Sequence, residues 1–260
     1  MASPSPWGSS PRPAGCSAAT GRTTSRASRS ASTGRPTARV RSTVVRSSWT
    51  RYEGEPDQAI SSAVDLVGEG VTILGGTTSS GVAVQMASFA EENEVLYLSG
   101  PAVTDAITGA NDYTFRSGRQ TYQDVAAAAA LVEDLEGETV VAFVQDSEFG
   151  ESNVAAVENV LGVDVGADVV PIEVPLSATE FTPFAQQVAD ADPELVFVAW
   201  AGDTTPAMWE TLEQQGVLDE YAVTTGLAEQ ATWPLYGPAG PEIDFLNHYF
   251  GGAPDNEATS

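Results

Sequence analysis

The chain of 260 residues has 36 acidic and 11 basic residues, and its formal charge of −25 is unevenly distributed. Met1–Arg51 has nine Arg and no acid and carries +9, whereas 52–260 has all 36 acids and two Arg and carries −34. So acidic a body offers little to neutralise phosphates, which argues against nucleic acid as a partner and against an anionic membrane surface.

Residues 1–52 are predicted to form a disordered head, because they are mostly Ser, Arg, Thr, Ala, Pro and Gly without apolar periodicity. The head lacks the apolar core of roughly 7–15 residues that a secretion signal needs. Ala14-Gly15-Cys16-Ser17 is similar to the end of a bacterial lipoprotein cleavage site, although Pro13 stands where that site prefers an aliphatic residue. Lipidation of Cys16 and a chance match therefore both stay open.

From Glu53 onward, predicted helices and strands alternate. The helices are predicted at Asp57–Glu69, Ser79–Glu92, Thr121–Leu135, Ser152–Leu161, Phe181–Ala189 and Pro206–Gln215. The strands are predicted at Val71–Leu74, Val95–Leu98, Tyr113–Phe115, Val140–Val144, Val169–Val174, Leu195–Ala199 and Tyr221–Thr225. This alternation predicts an α/β fold with parallel sheets, and the polar link Arg116–Arg119 would separate two lobes. Ligands of such sheets bind beyond the carboxyl ends of the strands.

Five segments of this body carry a family resemblance when they are taken in order. They are Glu53–Ala59, Gly75–Ala83, Tyr113–Arg116, Gln145–Gly150 and Thr179–Phe184. In these segments the chain resembles substrate-binding proteins of ABC importers in the leucine/isoleucine/valine-binding group. The resemblance implies the type I periplasmic binding protein fold, with two Rossmann-like lobes and parallel sheets, here incomplete at both ends.

The resemblance also implies a division of the chain. Residues 53–119 would form a partial first lobe, 120–250 the second lobe, and 251–260 the start of a truncated return crossover. The head replaces the family's signal, first strand and first helix. A neighbouring reading frame over Arg41–Arg51 can spell V-D-G-R-P-L-V-V-D-A, which is similar to the family's second strand. A frameshifted gene start and a genuine disordered extension are the two explanations.

The function implied by the resemblance is extracytoplasmic solute binding between two hinged lobes. The ligand would be a branched-chain amino acid, an amide or a small organic acid, and the partner an ABC permease. No cofactor and no metal is expected, since one Cys and one His give no ligand cluster, and motifs of common enzyme classes are absent. A non-functional fragment and a ligand-binding sensor domain are the alternatives.

Ser79 and Ser80 open a predicted helix, where hydroxyls, backbone N–H groups and the helix dipole suit a carboxylate. The resemblance implies that this loop holds the ligand's α-carboxylate, whereas an ordinary N-cap is the alternative. Ala102 and Thr104 follow the next strand, and the resemblance implies a carbonyl and a hydroxyl for the ligand's polar end. Thr104 could instead cap a turn.

Phe149 is predicted in the loop after Val140–Val144, where the family often has a Tyr that closes over the ligand. Core packing is the alternative. Arg116 and Arg119 are the only cations of the body, and either could hold a carboxylate or pair with an acid near the hinge. We prefer a structural role for Arg116. Tyr122 is a further ligand candidate, with core burial as its alternative.

Asp203 and Glu229 are the acids nearest to the position where the family meets the ligand's ammonium group. The aligned position itself is Gly226 or Leu227, so one of these acids would have to substitute. A solvated surface role is the alternative for each. His248 is interpreted as structural.

Overall fold

The computed structural model describes residues 56–132, 134–226 and 232–246. The α-helices in these ranges are α1 (Pro56–Gly68), α2 (Ser80–Glu92), α3 (Thr121–Ala128), α4 (Glu148–Val157), α5 (Thr182–Ala191), α6 (Thr205–Gln214) and α7 (Val217–Glu220). The strands are β1 (Ile73–Gly76), β2 (Leu96–Ser99), β3 (Thr114–Arg116), β4 (Thr139–Gln145), β5 (Asp168–Val174), β6 (Leu195–Ala199), β7 (Ala222–Thr225) and β8 (Asp244–Phe245). A π-helical turn, Glu158–Val165, continues α4, and 3₁₀ turns occur at Asp105–Ile107, Trp233–Leu235 and Gly237–Glu242.

The strands form two separate parallel sheets. The first sheet has the order β1-β2-β3, and the second has the order β5-β4-β6-β7-β8. In the second sheet, the strand after β4 in the chain (β5) is added on one side, whereas the strand after β6 (β7) is added on the other side. The order of the strands therefore reverses between β4 and β6, and this position is the topological switch point. Ligands of open parallel sheets bind beyond the strand ends at such a point. The predicted α/β class with parallel sheets is confirmed.

The second sheet is covered by helices on both faces. Alternate residues of β4 point to opposite sides: Val140, Ala142 and Val144 pack with α3 and α4, whereas Val141 and Phe143 pack with α5 and α6. All five β6 residues are buried. Burial on both faces explains why these strands are continuous apolar runs in the sequence.

The first sheet is buried on one face. Leu74 and Tyr97 pack against α1 and α2. On the other face Ile73, Leu98 and Phe115 are 55%, 42% and 54% exposed. The three large side chains therefore form an open apolar surface.

The prediction of a helix over Thr121–Leu135 is wrong in extent, because α3 ends at Ala128. The N–H groups of Ala130 and Leu131 donate to carbonyls three residues back, which tightens and ends the helix. The left-handed backbone of Asp134 (φ 63°) then turns the chain, and Leu135 is buried outside α3.

The predicted start of the next helix at Ser152 is also wrong, because α4 begins at Glu148. Ser147 caps it: its hydroxyl oxygen accepts the N–H of Gly150 at 3.2 Å. Phe149 therefore lies in the first helical turn and not in a loop.

Within the described part of the chain, no helix has the length and apolar character needed to cross a membrane. The predicted head with Cys16, the candidate Glu229, His248 and the predicted return segment 251–260 lie outside the described residues. The predicted boundary between the lobes at 119/120 stays a prediction.

Candidate functional site

The start of α2 lies at the carboxyl end of β1. Ser79 occupies the N-cap position with extended backbone, but its hydroxyl makes no capping hydrogen bond. Ser79 is exposed, and Ser80 is 3% exposed. The N-cap alternative therefore lacks its defining side-chain bond, and the role of both residues in carboxylate binding stays a prediction.

The loop after β2 is fixed by the Arg116 guanidinium. Its Nη2 donates to the carbonyl oxygens of Ala102 (3.3 Å) and Thr104 (2.7 Å), and its Nη1 donates to that of Arg119 (2.9 Å). Arg116 thus binds three backbone carbonyls, which supports the preferred structural role. Burial lowers the pKa of Arg116, and the negative charge of Asp105 opposes that shift.

Thr104 is fully buried, and its hydroxyl is used twice. The oxygen accepts the N–H of Ala106 at 3.3 Å, which caps the 3₁₀ turn Asp105–Ile107, as the turn-capping alternative expects. The same hydroxyl donates to Oε1 of Glu148 at 3.4 Å. Thr104 therefore caps its own turn and also contacts the first residue of α4.

Tyr122 lies in the first turn of α3 and is 48% exposed, so the core-burial alternative is wrong. The buried positions of α3 are Thr121, Asp124, Val125 and Ala128, and Tyr122 falls outside that stripe. Its backbone N–H donates to Oδ2 of Asp105 at 2.9 Å. Burial raises the pKa of Asp105, and this hydrogen bond and the charge of Arg116 oppose the rise.

The Arg119 side chain connects two parts of the second-sheet region. Its Nε lies 2.7 Å from Oδ2 of Asp124, and its Nη2 donates to the carbonyl oxygen of Gly226. Both contacts are intramolecular. The contact with Asp124 is the pairing with an acid that the sequence analysis gave as one alternative. To bind a ligand carboxylate, the other alternative, Arg119 would have to share its guanidinium with these partners.

Phe149 is half-buried and packs against the core between β4 and α3. The core-packing alternative therefore describes its contacts.

Two neighbours of Phe149 in α4, Glu148 and Ser152, contact the loop after β2. Besides the bond of Glu148 to Thr104, the Ser152 hydroxyl oxygen accepts the N–H of Asp105 at 3.2 Å.

A cavity of about 640 Å³ opens where the loop after β2 meets α3 and α4. This volume is within the range of small-ligand pockets, about 300–1,000 Å³. Among the residues that line the cavity are Thr104, Asp105, Gln120, Tyr122, Glu148 and Ser152. The cavity is thus lined by a loop of the first sheet and by helices of the second.

Of the predicted site residues, Thr104 and Tyr122 line this cavity together. Its lining does not include Ser79, Ser80, Ala102, Arg119, Phe149 or Asp203. Asp203 is exposed in the turn after β6. Among the described residues, no group of acidic, His or Cys side chains is arranged to hold a metal ion.

Sequence reasoning missed Glu148 and Ser152, which both line the cavity. The signal that could have found Glu148 is the N-cap Ser147, which places Glu148 at the first position of α4. A predicted helix start at Ser152 hid this relationship.

Residues 45–260 match the family described as periplasmic binding protein. A solute-binding protein of an ABC transporter from R. palustris, in complex with 4-hydroxybenzoate, is 22% identical with a TM-score of 0.63, over 72% of this chain and 52% of that chain. An ABC-type branched-chain amino acid transporter from Rhodopseudomonas palustris is 28% identical with a TM-score of 0.56, over 79% and 57%. A leucine binding protein from Thermotoga maritima is 19% identical with a TM-score of 0.66, over 78% and 59%.

No curated protein matches the chain. The chain spans between 52% and 59% of the length of these three solved structures. Two of the three are distant enough in sequence to show the fold alone. The family match covers far more than half of the sequence, so the chain belongs to the periplasmic binding protein family.

Proposed function

We propose that the chain is the solute-binding component of an ABC importer, which binds a small amino-acid-like or carboxylate ligand between its two sheets. The observation that carries this proposal is the cavity of about 640 Å³, because a loop of the first sheet and helices of the second line it together. Its lining includes Thr104, in the loop that follows β2, and Glu148, at the start of the helix that follows β4, and ligands of parallel sheets bind beyond the strand ends.

The contacts across the cavity support a mechanism in which the two sides of the cavity close around the ligand. The bond of Thr104 to Glu148 and that of the Asp105 N–H to Ser152 join the loop after β2 to α4. Both are single hydrogen bonds of 3.2–3.4 Å, so neither contributes more than about 1 kcal/mol net. A ligand that contacts both sides would favour the closed arrangement by its higher affinity for it, while the link Arg116–Arg119 acts as a hinge.

The proposed activity is binding without catalysis. We propose that the protein acts outside the cytoplasm and that an ABC permease recognises the ligand-bound form, in keeping with the family. The solved relatives suggest which solutes to try first. One is described in complex with 4-hydroxybenzoate, another with benzoate, and a third is a leucine binding protein.

Isothermal titration calorimetry tests the proposal on the full chain with L-leucine, other amino acids, benzoate and 4-hydroxybenzoate. At least one solute is expected to bind with one-to-one stoichiometry and to raise the thermal unfolding midpoint. Thr104→Val should weaken that binding about fivefold or more, since it removes one hydrogen-bonding group from the cavity. Thr211→Val is the matched control, because Thr211 lies on α6 outside the cavity and its hydroxyl likewise makes a hydrogen bond, to the carbonyl of Ala207 at 2.8 Å. Absence of binding by every solute would contradict the proposal.

A further inference from the structure

We infer that Glu148 determines the ligand class of this site: it selects solutes that present an ammonium or another N–H donor and disfavours solutes whose only polar group is a carboxylate. The inference rests on the proposed function. It names a residue to which the sequence analysis gave no role, and it separates the amino-acid class from the benzoate class.

The position of Glu148 carries the argument. It is the first residue of α4, directly after the Ser147 cap at the switch point of the second sheet. Its Oε1 accepts the hydroxyl of Thr104 at 3.4 Å. A Cβ placed on Gly81 would lie 3.6 Å from the Glu148 Cβ. Glu148 therefore lies beside the first turn of α2 and contacts the loop after β2, the two first-sheet segments that are predicted to contact the ligand.

Glu148 also has capacity to bind a ligand donor. A carboxylate has about four acceptor positions, and the bond from Thr104 is the one side-chain hydrogen bond of Glu148 within the described residues. That bond is long for an O–H donor, since such bonds are usually about 2.7–2.8 Å. A ligand N–H group that enters the cavity could therefore bind Glu148 without displacing a strong internal partner.

The other two cavity carboxyl groups are less suited to this role. Oδ2 of Asp105 accepts the N–H of Tyr122, and Glu151 is exposed. No Arg is among the described residues that line the cavity. A ligand carboxylate placed beside Glu148 would meet like charge at short range, whereas an ammonium group would meet opposite charge.

The test uses ligand pairs that differ only in the amino group. L-leucine and 4-methylpentanoate form one pair, L-phenylalanine and 3-phenylpropanoate another, and benzoate is added. Calorimetry on the full-length wild type should give at least one amino acid that binds about tenfold or more tightly than its deamino partner, as a hydrogen bond to a charged group implies. Glu148→Gln should reduce that ratio about tenfold.

Glu158→Gln is the matched control, because Glu158 is exposed, follows α4 directly and loses the same charge. It should leave the ratio unchanged. Glu148→Ala is the second neutral variant and should behave as Glu148→Gln does, with circular dichroism showing that each variant is folded.

Two results would overturn the inference while the proposed function stands: a wild type that prefers the deamino acids or benzoate, or an amino-acid preference that both Glu148 variants retain. Absence of binding by every probe to the wild type would instead overturn the proposed function, and the inference with it.

Discussion

The Nε atom of Arg119 donates to Oδ2 of Asp124 over 2.7 Å, and the same guanidinium donates to the carbonyl of Gly226. The side chain of Asp124 is 4% exposed and that of Arg119 is 18% exposed. This pair ties the first turns of α3 to the end of β7, so it holds a helix of the candidate site in position.

Arg119→Ala is expected to destabilise the fold by about 3 kcal/mol, because it removes the guanidinium that contacts both the buried Asp124 carboxylate and the carbonyl of Gly226. Urea unfolding followed by circular dichroism at pH 7 measures the change. Asp190→Asn, an exposed acid on α5, is the control and should alter the unfolding free energy by less than about 0.5 kcal/mol. A loss no larger than that of the control would mean that the pair is not important for stability.

Gly150→Ala is expected to lower the free energy of unfolding by at least about 3 kcal/mol, the upper end of the usual cost of overpacking, because it disturbs the first turn of α4. A Cβ at this position would overlap the carbonyl oxygen of Gln145, the last residue of β4. Gly75→Ala is the matched control, because no atom lies within 4 Å of its added Cβ. The thermal unfolding midpoints of the two variants give the comparison, and equal midpoints would contradict the predicted clash.

Much of the fold could be predicted from the sequence because its strands are apolar runs. The strand Leu195–Ala199 was predicted to the residue, since burial on both faces leaves no polar position within it. The prediction was wrong where hydrogen bonds of the backbone determine the ends of helices. The Ser147 cap places the start of α4 before the predicted start, and hydrogen bonds from residue i to residue i−3 end α3 earlier than predicted. The two-residue strand β8 was not predicted at all, because two residues carry no periodicity.

The candidate site was less predictable than the fold. Thr104 and Tyr122 were each named as ligand candidates, and both line the cavity, but their role in binding stays a prediction. The contact of Thr104 with Glu148 joins residues 44 positions apart, and it depends on how the loop after β2 packs against α4. No local pattern in the sequence contains that information.

The stability contributed by Asp105 is expected to depend on pH. Burial raises the pKa of its folded-state carboxyl above the unfolded value of about 3.9. Its contribution to the free energy of unfolding is therefore greatest below pH 3.9 or so and falls as pH rises through the folded-state pKa. Asp105→Asn, which cannot ionise, should thus gain stability relative to the wild type in the pH window above about 3.9.

Urea unfolding of the wild type and Asp105→Asn at several pH values in this window measures that difference. Asp203→Asn removes an exposed carboxyl and is the control for the loss of one negative charge. A difference for Asp105→Asn that is constant or that moves in the opposite direction would contradict the predicted effect of burial.

The open face of the first sheet is expected to cause self-association. Leu98 and Phe115 are register partners on β2 and β3, and they are 42% and 54% exposed. Contiguous exposed apolar side chains favour association. The double substitution Leu98→Thr and Phe115→Thr keeps residues that suit strands and should change the unfolding free energy by less than about 1 kcal/mol.

Sedimentation velocity over a series of protein concentrations tests this expectation: the wild type should shift to larger species, and the double variant should remain monomeric. Leu74→Thr is the control on the opposite face of the same sheet, where Leu74 is 5% exposed. It should cost about 2–4 kcal/mol, because it removes buried apolar volume and buries a hydroxyl, and it should not suppress association. A wild type that stays monomeric at every concentration would show that the open face does not mediate self-association.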